Sequence, residues 1–172
     1  MTRLENLLGA WSLTVTDRMA AVGAEAGLSG TDQAALVTLL AHPDRPVAWL
    51  GEVLGLTSSG ATRLVDRLVS SGWVGRTAGD DSRQRRLRLT RSGSTLATKL
   101  VGARGSVLAD SLTGLGAGDR RQLEEILERL VGTSTPDFLP AMRTCRLCDR
   151  TACRTGGPCP LDHTVPESER HA

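Results

Sequence analysis

The 172-residue chain is 40% hydrophobic, 23% charged and only 2% aromatic, with a formal net charge of +2, a composition typical of a globular protein with an aliphatic core and not of a disordered or fibrous one. Its length accommodates one domain of ordinary size and a tail, and excludes two large domains. No apolar stretch approaches the roughly 18–20 residues of a membrane span and the N-terminus lacks the layout of a secretory signal, so the expected location is cytoplasmic, away from membranes.

The N-terminal segment carries an apolar stripe. Between Leu4 and Val22, apolar residues recur at three- and four-residue steps, which predicts a long amphipathic helix. Gly27 ends this helix, and a second apolar helix follows that is expected to stop before Pro43.

Two short helices joined by a tight turn come next. Pro46 is expected at the start of a helix over Val47–Leu54, where its missing N–H leaves no bond unmade, and Gly55 closes this helix. The following helix covers Ser58–Ser70, with Ser58 as its expected cap and with apolar and polar residues on opposite faces. This arrangement is typical of a helix-turn-helix.

A basic hairpin is predicted after these helices. Residues 73–76 and 85–90 have strand patterns, the second alternating apolar with basic side chains, and turn-forming residues lie between them. Residues 57–91 contain eight arginines against three aspartates, a net charge of +5, whereas residues 1–56 carry −3. Such a window is typical of a surface that binds nucleic acid, with a solvated basic face as the alternative.

Two more helices are predicted, around residues 96–112 and 119–131, each with an apolar stripe. The order of four helices, a hairpin and two helices indicates a mostly α fold with a small β wing, the winged helix-turn-helix. The apolar stripes of the first and last helices lie far from the hairpin in the sequence, which favours a dimer interface over the half-buried stripes of a small monomer.

The sequence resembles the MarR family of transcription regulators. The resemblance rests on residues 54–57 leading into 62–68, on residues 72–76, and on the wing pattern of Asp81 and Arg83 followed by residues 87–90 and Gly93. It covers about residues 4–132 and leaves the last 40 residues unexplained, a tail that the family usually lacks.

The resemblance implies a DNA-binding regulator, with repression as its expected mode, that is an obligate homodimer. Residues 1–30 and 92–132 are expected to supply interlocked dimerisation helices, and residues 31–91 the winged domain. Two such domains would meet successive major grooves of a near-palindromic double-stranded operator.

The helix Ser58–Ser70 is then expected to lie in the major groove, with its N-terminal half towards the bases. The residues expected to contact bases or nearby phosphates are Ser58, Ser59, Thr62 and Arg63, with helix capping as the alternative for the two serines. Those expected to contact the backbone or the minor groove are Arg67, Arg76, Arg83, Arg85 and Arg86. Asp66 and Asp81 are expected to brace arginines, because DNA would repel them.

The tail contains all four cysteines of the chain within 15 residues. After a predicted linker at residues 133–137, they follow one another with gaps of two, four and five residues, and a proline comes directly after the last: Cys145, Cys148, Cys153 and Cys159. Clustered thiols in an intracellular DNA-binding protein are more typical of metal ligands than of disulfides. We predict one metal group per subunit.

The identity of that group stays open at this point. A compact cysteine run that ends in Cys-Pro favours an iron–sulfur cluster, whereas structural zinc usually has two Cys-x2-Cys knuckles and only one is present. Metal-free thiols acting as a redox switch are the third possibility. Arginines between the cysteines would offset the negative charge of thiolates, and His163 or His171 are weaker candidates as additional ligands.

The leading functional hypothesis is a dimeric regulator whose cysteine group senses redox state, oxygen, nitric oxide or metal. The alternative is a regulator of the same type with a structural zinc and a small organic effector bound between the dimerisation and winged domains. An enzyme is not expected, since no histidine is placed to act as a base with a cysteine. His42, before Pro43, is interpreted as an ordinary loop residue.

Overall fold

The structure, a computed structural model, describes residues 1–24, 27–78 and 85–166. In these ranges the chain forms α1 (Arg3–Ala24), α2 (Gly30–Ala41), β1 (Arg45–Pro46), α3 (Val47–Leu54), α4 (Ser58–Ser70), β2 (Val74–Ala78), β3 (Arg85–Leu89), α5 (Arg91–Ser111), α6 (Ala117–Gly132), α7 (Phe138–Cys145), α8 (Arg150–Thr155) and a 3-10 turn at Asp162–Thr164. The predicted mostly helical fold with a small β wing is confirmed. Nowhere in the described ranges does a helix combine the length and the apolar character that crossing a membrane requires.

The wing contains one more strand than the sequence predicted. The sheet has the order β1-β3-β2 with antiparallel pairing, and Arg45 lies opposite Leu87. Because residues 45 and 46 pair with β3, Pro46 is extended and precedes the first turn of α3 as its N-cap. The predicted helix over Val47–Leu54, with Pro46 at its start, is confirmed.

The core lies beneath the helix-turn-helix. Leu36 and Leu39 of α2, Leu50 of α3, Leu68 of α4 and Leu87 of β3 are completely or almost completely buried. They form one cluster with residues of α5, so α2, α3, β3 and α5 share a single apolar interior with α4.

Two local features fix the turn between α3 and α4. Gly55 ends α3 in the left-handed region with φ 67°, a conformation that glycine adopts without steric cost. The cap of α4 is Thr57, whose side chain accepts a hydrogen bond from the Gly60 N–H at 3.2 Å. The expectation that Ser58 caps this helix is wrong, because Ser58 already lies inside it.

The base of the wing is held against the start of α5. The Thr90 hydroxyl caps α5 and donates to the Gly72 carbonyl at 2.7 Å. At Gly93 an added Cβ would lie 1.9 Å from the Trp73 carbonyl oxygen, so no larger residue fits there without moving the backbone. The wing therefore has a fixed orientation relative to α5.

The two outer helices expose apolar side chains. Leu4, Leu7, Leu8 and Trp11 of α1 are exposed, although later positions of the same stripe pack against the core. On α6, Ile126, Leu127 and Leu130 are exposed as well. These are the two helices that the sequence predicted to interlock in a dimer.

The cysteine tail folds and docks against the body. Two helices that the sequence analysis did not predict, α7 and α8, contain or flank three of the cysteines. α7 packs against α3, and Leu147 packs against the main core cluster. The tail is therefore in contact with the winged domain and is not held away from it by residues 133–137.

Candidate DNA-binding surface and cysteine cavity

The outward face of α4 carries the predicted DNA contacts. Its inner face is buried through Ala61, Leu64, Val65 and Leu68. On the outer face, the side chains expected to contact DNA are exposed: Ser58, Ser59, Thr62 and Arg63. The first turn of this helix presents N–H groups and the positive end of the helix dipole, which together suit contact with a phosphate backbone.

Arg67 on the same helix has an internal partner. Its Nε and Nη2 atoms donate to Oδ1 of Asp32 at 3.2 and 2.6 Å. Asp32 also exchanges hydrogen bonds with Ser29, whose hydroxyl accepts from the Asp32 N–H at 3.1 Å in a capping box at the start of α2. Arg67 thus ties α4 to α2, a role that sequence reasoning missed because its partner lies 35 residues away. Its predicted contact with the DNA backbone stays a prediction.

The carboxylate of Asp32 responds to pH in a definite direction. Burial raises its pKa, but hydrogen bonds from Ser29 and Arg67 outweigh burial, and the net pKa lies below the usual value. The folded state therefore prefers the charged form. This preference stabilises the fold at pH values above about 3.9, the pKa of an aspartate in the unfolded chain. The stabilisation is lost as the pH falls through the lower pKa of Asp32 in the folded protein.

We predict that Asp32→Asn lowers the free energy of unfolding at pH 7 by about 1–3 kcal/mol. Most of this loss comes from the Ser29 cap, because the Arg67 side chain is 54% exposed and its ion pair is screened by solvent. Urea unfolding at pH 7 and pH 3 measures the difference, which should shrink at pH 3 because Asp32 of the unfolded chain binds a proton below its pKa of about 3.9. Asp110→Asn, at an exposed position of α5, is the control. A difference of equal size at both pH values contradicts the assignment.

Arginines of the wing are partly engaged within the protein. Arg76 of β2 donates to Asp66 of α4 at 2.6 Å, which confirms the expected bracing role of Asp66. Arg86 donates to the Asp44 carbonyl at 3.0 Å, and Arg85 is exposed.

Arg88 of β3 also has an internal partner. It pairs with the carboxylate of Asp44, which fixes the loop before β1 to the wing. Arg83 and Asp81 lie outside the described residues, so the predicted minor-groove contact of Arg83 stays a prediction.

The four cysteines line one cavity of about 80 Å³ between the tail and α2. They are free thiols, with Cys145 and Cys159 partly buried and Cys148 and Cys153 exposed. In the described part of the chain, no three His, Cys, Asp or Glu side chains converge closely enough to hold a single metal ion.

Arginines outnumber carboxylates around the cavity, where Asp162 pairs with Arg154 at 2.6 Å. Three arginines of the tail line it with Arg45 of the winged domain: Arg146, Arg150 and Arg154. The hydrogen bond from Cys145 lowers the pKa of Cys148 to about 7 against the effect of burial, and nearby Arg104 and Arg146 act in the same direction. The pKa of Cys145 is raised, first by that same hydrogen bond. Burial and then Cys159 raise the pKa of Cys153. The cavity therefore favours a negative charge at Cys148.

Arg104 of α5 contributes a further donor. Burial lowers the pKa of its guanidinium, and the nearby Arg146 repels it. Its Nε is buried and has no hydrogen-bond partner within the described ranges. A buried donor is normally satisfied, so this corner of the tail is suited to an anionic group.

Three hydrogen bonds dock the tail on the winged domain. Arg143 Nη2 donates to the Glu52 carbonyl at 3.1 Å, and the Thr38 hydroxyl donates to the Arg146 carbonyl at 3.2 Å. Arg150 Nη1 lies 2.5 Å from Nε2 of His42. The interpretation of His42 as an ordinary loop residue is therefore wrong, because it caps α2 and lines the cysteine cavity.

Part of the chain is similar in sequence to a known protein family. Residues 26–87 match the sequence model of the MarR family, the segment that contains α2, the helix-turn-helix and most of the wing. None of the curated proteins matches the chain significantly in sequence.

Solved structures show the same fold. A cysteine-to-serine mutant of Escherichia coli MarR superposes with a TM-score of 0.65 at 21% identity, covering 76% of this chain and 98% of that one. The YusO protein of Bacillus subtilis superposes with a TM-score of 0.67 at 22% sequence identity, covering 76% of this chain and 93% of that one. A MarR family protein of Mycobacterium tuberculosis in complex with salicylic acid superposes with a TM-score of 0.59 at 24% sequence identity, covering 76% of this chain and 97% of that one. Members of the MarR family are DNA-binding transcription regulators and not enzymes.

Proposed function

We propose that this chain, which has the winged helix-turn-helix fold of MarR-family regulators and matches that family over residues 26–87, is a dimeric DNA-binding transcription regulator that senses its environment through the four-cysteine cavity. The observation that carries the DNA-binding role is α4, whose buried inner face positions an exposed polar face with Arg63 at its centre. MarR-family regulators bind DNA as dimers, and the exposed stripes of α1 and α6 support the same assembly here. Repression is the mode that we propose for it.

For the cysteine cavity, we propose an iron–sulfur cluster. A single zinc ion with Zn–S bonds of about 2.3 Å requires four sulfurs within roughly 4 Å of one another, and the described residues contain no such convergence. The four cysteines instead surround one cavity. A cluster distributes its thiolate ligands over several irons, so it suits this wider arrangement better than one ion does.

The charges around the cavity support an anionic occupant. Four thiolates and their metal carry a net negative charge, which Arg146 and Arg150 would offset, while Arg154 pairs with Asp162. The unpartnered Nε of Arg104, whose guanidinium interacts electrostatically with Cys148, is a further donor. Hydrogen bonds and charges near a cluster set its reduction potential. When bound, the cluster supplies one-electron redox chemistry and sensitivity to oxygen or nitric oxide.

An anaerobic absorbance spectrum with iron, sulfide and zinc analysis of freshly purified protein tests this assignment. We expect iron and sulfide in similar amounts and a visible absorbance that dithionite bleaches. Stoichiometric zinc without iron contradicts the cluster and leaves a structural metal. Protein free of metal contradicts both and leaves the Cys145–Cys148 pair as a thiol switch.

We predict that the double substitution Cys148→Ser and Cys153→Ser removes the metal, preserves the helical circular dichroism signal and changes operator affinity several-fold. The helices depend on the core, which contains none of the four cysteines, whereas the metal depends on its ligands. Metal analysis and a gel-shift titration at fixed salt measure the two effects. Thr151→Ser, in α8 between the same cysteines, is the control. A metal-free double variant that binds and releases DNA like wild type would exclude a sensing role.

A second candidate is an organic effector, since the Mycobacterium tuberculosis relative contains salicylic acid. Between the wing base and α5, an open groove is lined by Trp73, Arg91 and Lys99 among others, and its cations and aromatic ring suit an aromatic carboxylate. Under this second hypothesis, the cysteines bind zinc, which has only a structural role. Calorimetric titration of the metal-loaded dimer with salicylate separates the two candidates.

A further inference from the structure

We propose that Arg143 of α7 is the positioning residue through which the group held by the cysteines acts on the DNA-reading helix of its own subunit. The inference rests on the proposed function of the cysteine cavity and adds the route by which that cavity affects DNA binding. Its starting point is the 3.1 Å hydrogen bond from Arg143 Nη2 to the carbonyl of Glu52, in the last turn of α3.

The guanidinium of Arg143 covers the turn of the helix-turn-helix. Its central carbon lies 3.4 Å from the position that a Cβ on Gly55 would occupy. Gly55 is the left-handed cap of α3, and the next residue, Leu56, donates its N–H to the Gly51 carbonyl at 2.9 Å. A cation that bonds a terminal carbonyl stabilises the C-terminal end of a helix. Arg143 therefore stabilises the turn that sets α4 relative to α3.

The same short helix leads directly to the cysteines. α7 spans Phe138–Cys145, so Arg143 lies two residues before its first thiol. Beyond Cys145, the Cys148 N–H donates to the Cys145 carbonyl at 2.9 Å, and the carbonyl of Arg146 accepts from Thr38. Ligation of Cys145 and Cys148 thus fixes the backbone within one turn of Arg143.

α7 depends on that constraint because it is short. A helix of eight residues is marginal by itself in water, and only Ala141 and Met142 of this helix are buried. When the cysteines hold no group, the C-terminal end of α7 is released and the Arg143 contact is weakened. The bound group then favours the conformation in which the α3–α4 turn is ordered. DNA binding requires the ordered turn, so bound DNA in turn favours retention of the group by the cysteines.

The experiment is a double-mutant cycle on the full-length protein. Operator affinity is measured for wild type, Arg143→Gln, Cys148→Ser with Cys153→Ser, and the combination of all three. We expect the cysteine substitutions to weaken binding several-fold in wild type and by less than about twofold when Arg143 is already glutamine. Arg121→Gln, which removes the same charge from α6, is the control and should leave the response to the cysteine substitutions intact.

The salt dependence of binding separates the proposed role from a direct DNA contact. If Arg143 bound a phosphate in each subunit, Arg143→Gln would reduce the slope of log K against log salt by about 2 for the dimer. We expect the slope to stay unchanged, and a reduced slope together with a preserved response to the cysteine substitutions overturns the proposal.

Hydrogen exchange gives a readout that does not depend on the Arg143 variant. In the cysteine double variant, amide exchange across residues 51–57 should increase, while the buried segment of α2 stays protected. Unchanged exchange at this turn overturns the proposal. If the cysteine substitutions leave operator affinity unchanged in an otherwise wild-type protein, both the sensing function and the role of Arg143 are refuted. If they change operator affinity equally with Arg143 and with Gln at this position, only the role of Arg143 is refuted.

Discussion

Replacement of Leu8 by aspartate is expected to convert the protein from a dimer into a monomer and to abolish specific binding to a two-half-site operator. Leu8 is 57% exposed on α1, beside Leu4 at 75% and Trp11 at 45%, and Leu127 of α6 is 48% exposed. A monomer rarely exposes an apolar stripe of this extent. In a two-fold symmetric interface, one substitution introduces two charges, and burying an unpaired carboxylate costs several kcal/mol.

The matched control for this variant lies on the same helix. Leu13 is 68% exposed and lies five residues from Leu8, about 140° around the helix, so Leu13→Asp places the same charge on another face. Light scattering after gel filtration gives the molar mass of both variants, and gel shifts give their DNA binding. If Leu8→Asp remains a folded dimer, α1 does not form the interface.

Replacement of Arg63 by alanine is expected to weaken operator binding by about 1–3 kcal/mol for each half-site. Arg63 is exposed on the outer face of α4, and the neighbouring core residue Leu64 keeps the helix in place, so the variant loses a charged contact with DNA and little packing. Because both subunits carry the substitution, the losses at the two half-sites add in the dimer. The same loss is expected for Arg83→Ala in the wing.

Fluorescence anisotropy at fixed salt, with the operator and with unrelated DNA, measures the effect of Arg63→Ala. If Arg63 reads bases, the ratio of the two affinities falls; if it contacts only phosphate, both affinities fall together. Arg121→Ala on α6 is the control for the loss of charge. An Arg63→Ala variant that binds like wild type would contradict the placement of α4 in the major groove.

The helices and the wing were predictable because their signals are local. The apolar spacing of α4 and the alternation in β3 follow from the periods of a helix and a strand. A single residue such as Gly55 marks a helix end because glycine adopts the left-handed conformation without steric cost. Local patterns of this kind also located the exposed face that carries Arg63.

Contacts between distant parts of the chain were not predictable in the same way. The partner of Arg67, the carboxylate of Asp32, belongs to another helix, and no local pattern connects them. α7 was missed because it is only eight residues long and contains Pro140, although Ala141 and Met142 form a short apolar face. The contact of His42 with Arg150 arises only when the tail folds back.

The docking of the tail has a consequence for how the protein is made. Its hydrogen bonds to the winged domain join residues that are 91 and 108 positions apart, and the core cluster of the winged domain is complete, apart from Leu147, by Val101. During synthesis from the N-terminus, the domain can therefore fold before the cysteines leave the ribosome. Each new subunit is expected to fold the winged domain with the exposed face of α4 first, and to dock α7 against α3 only after residues 138–145 have been synthesised.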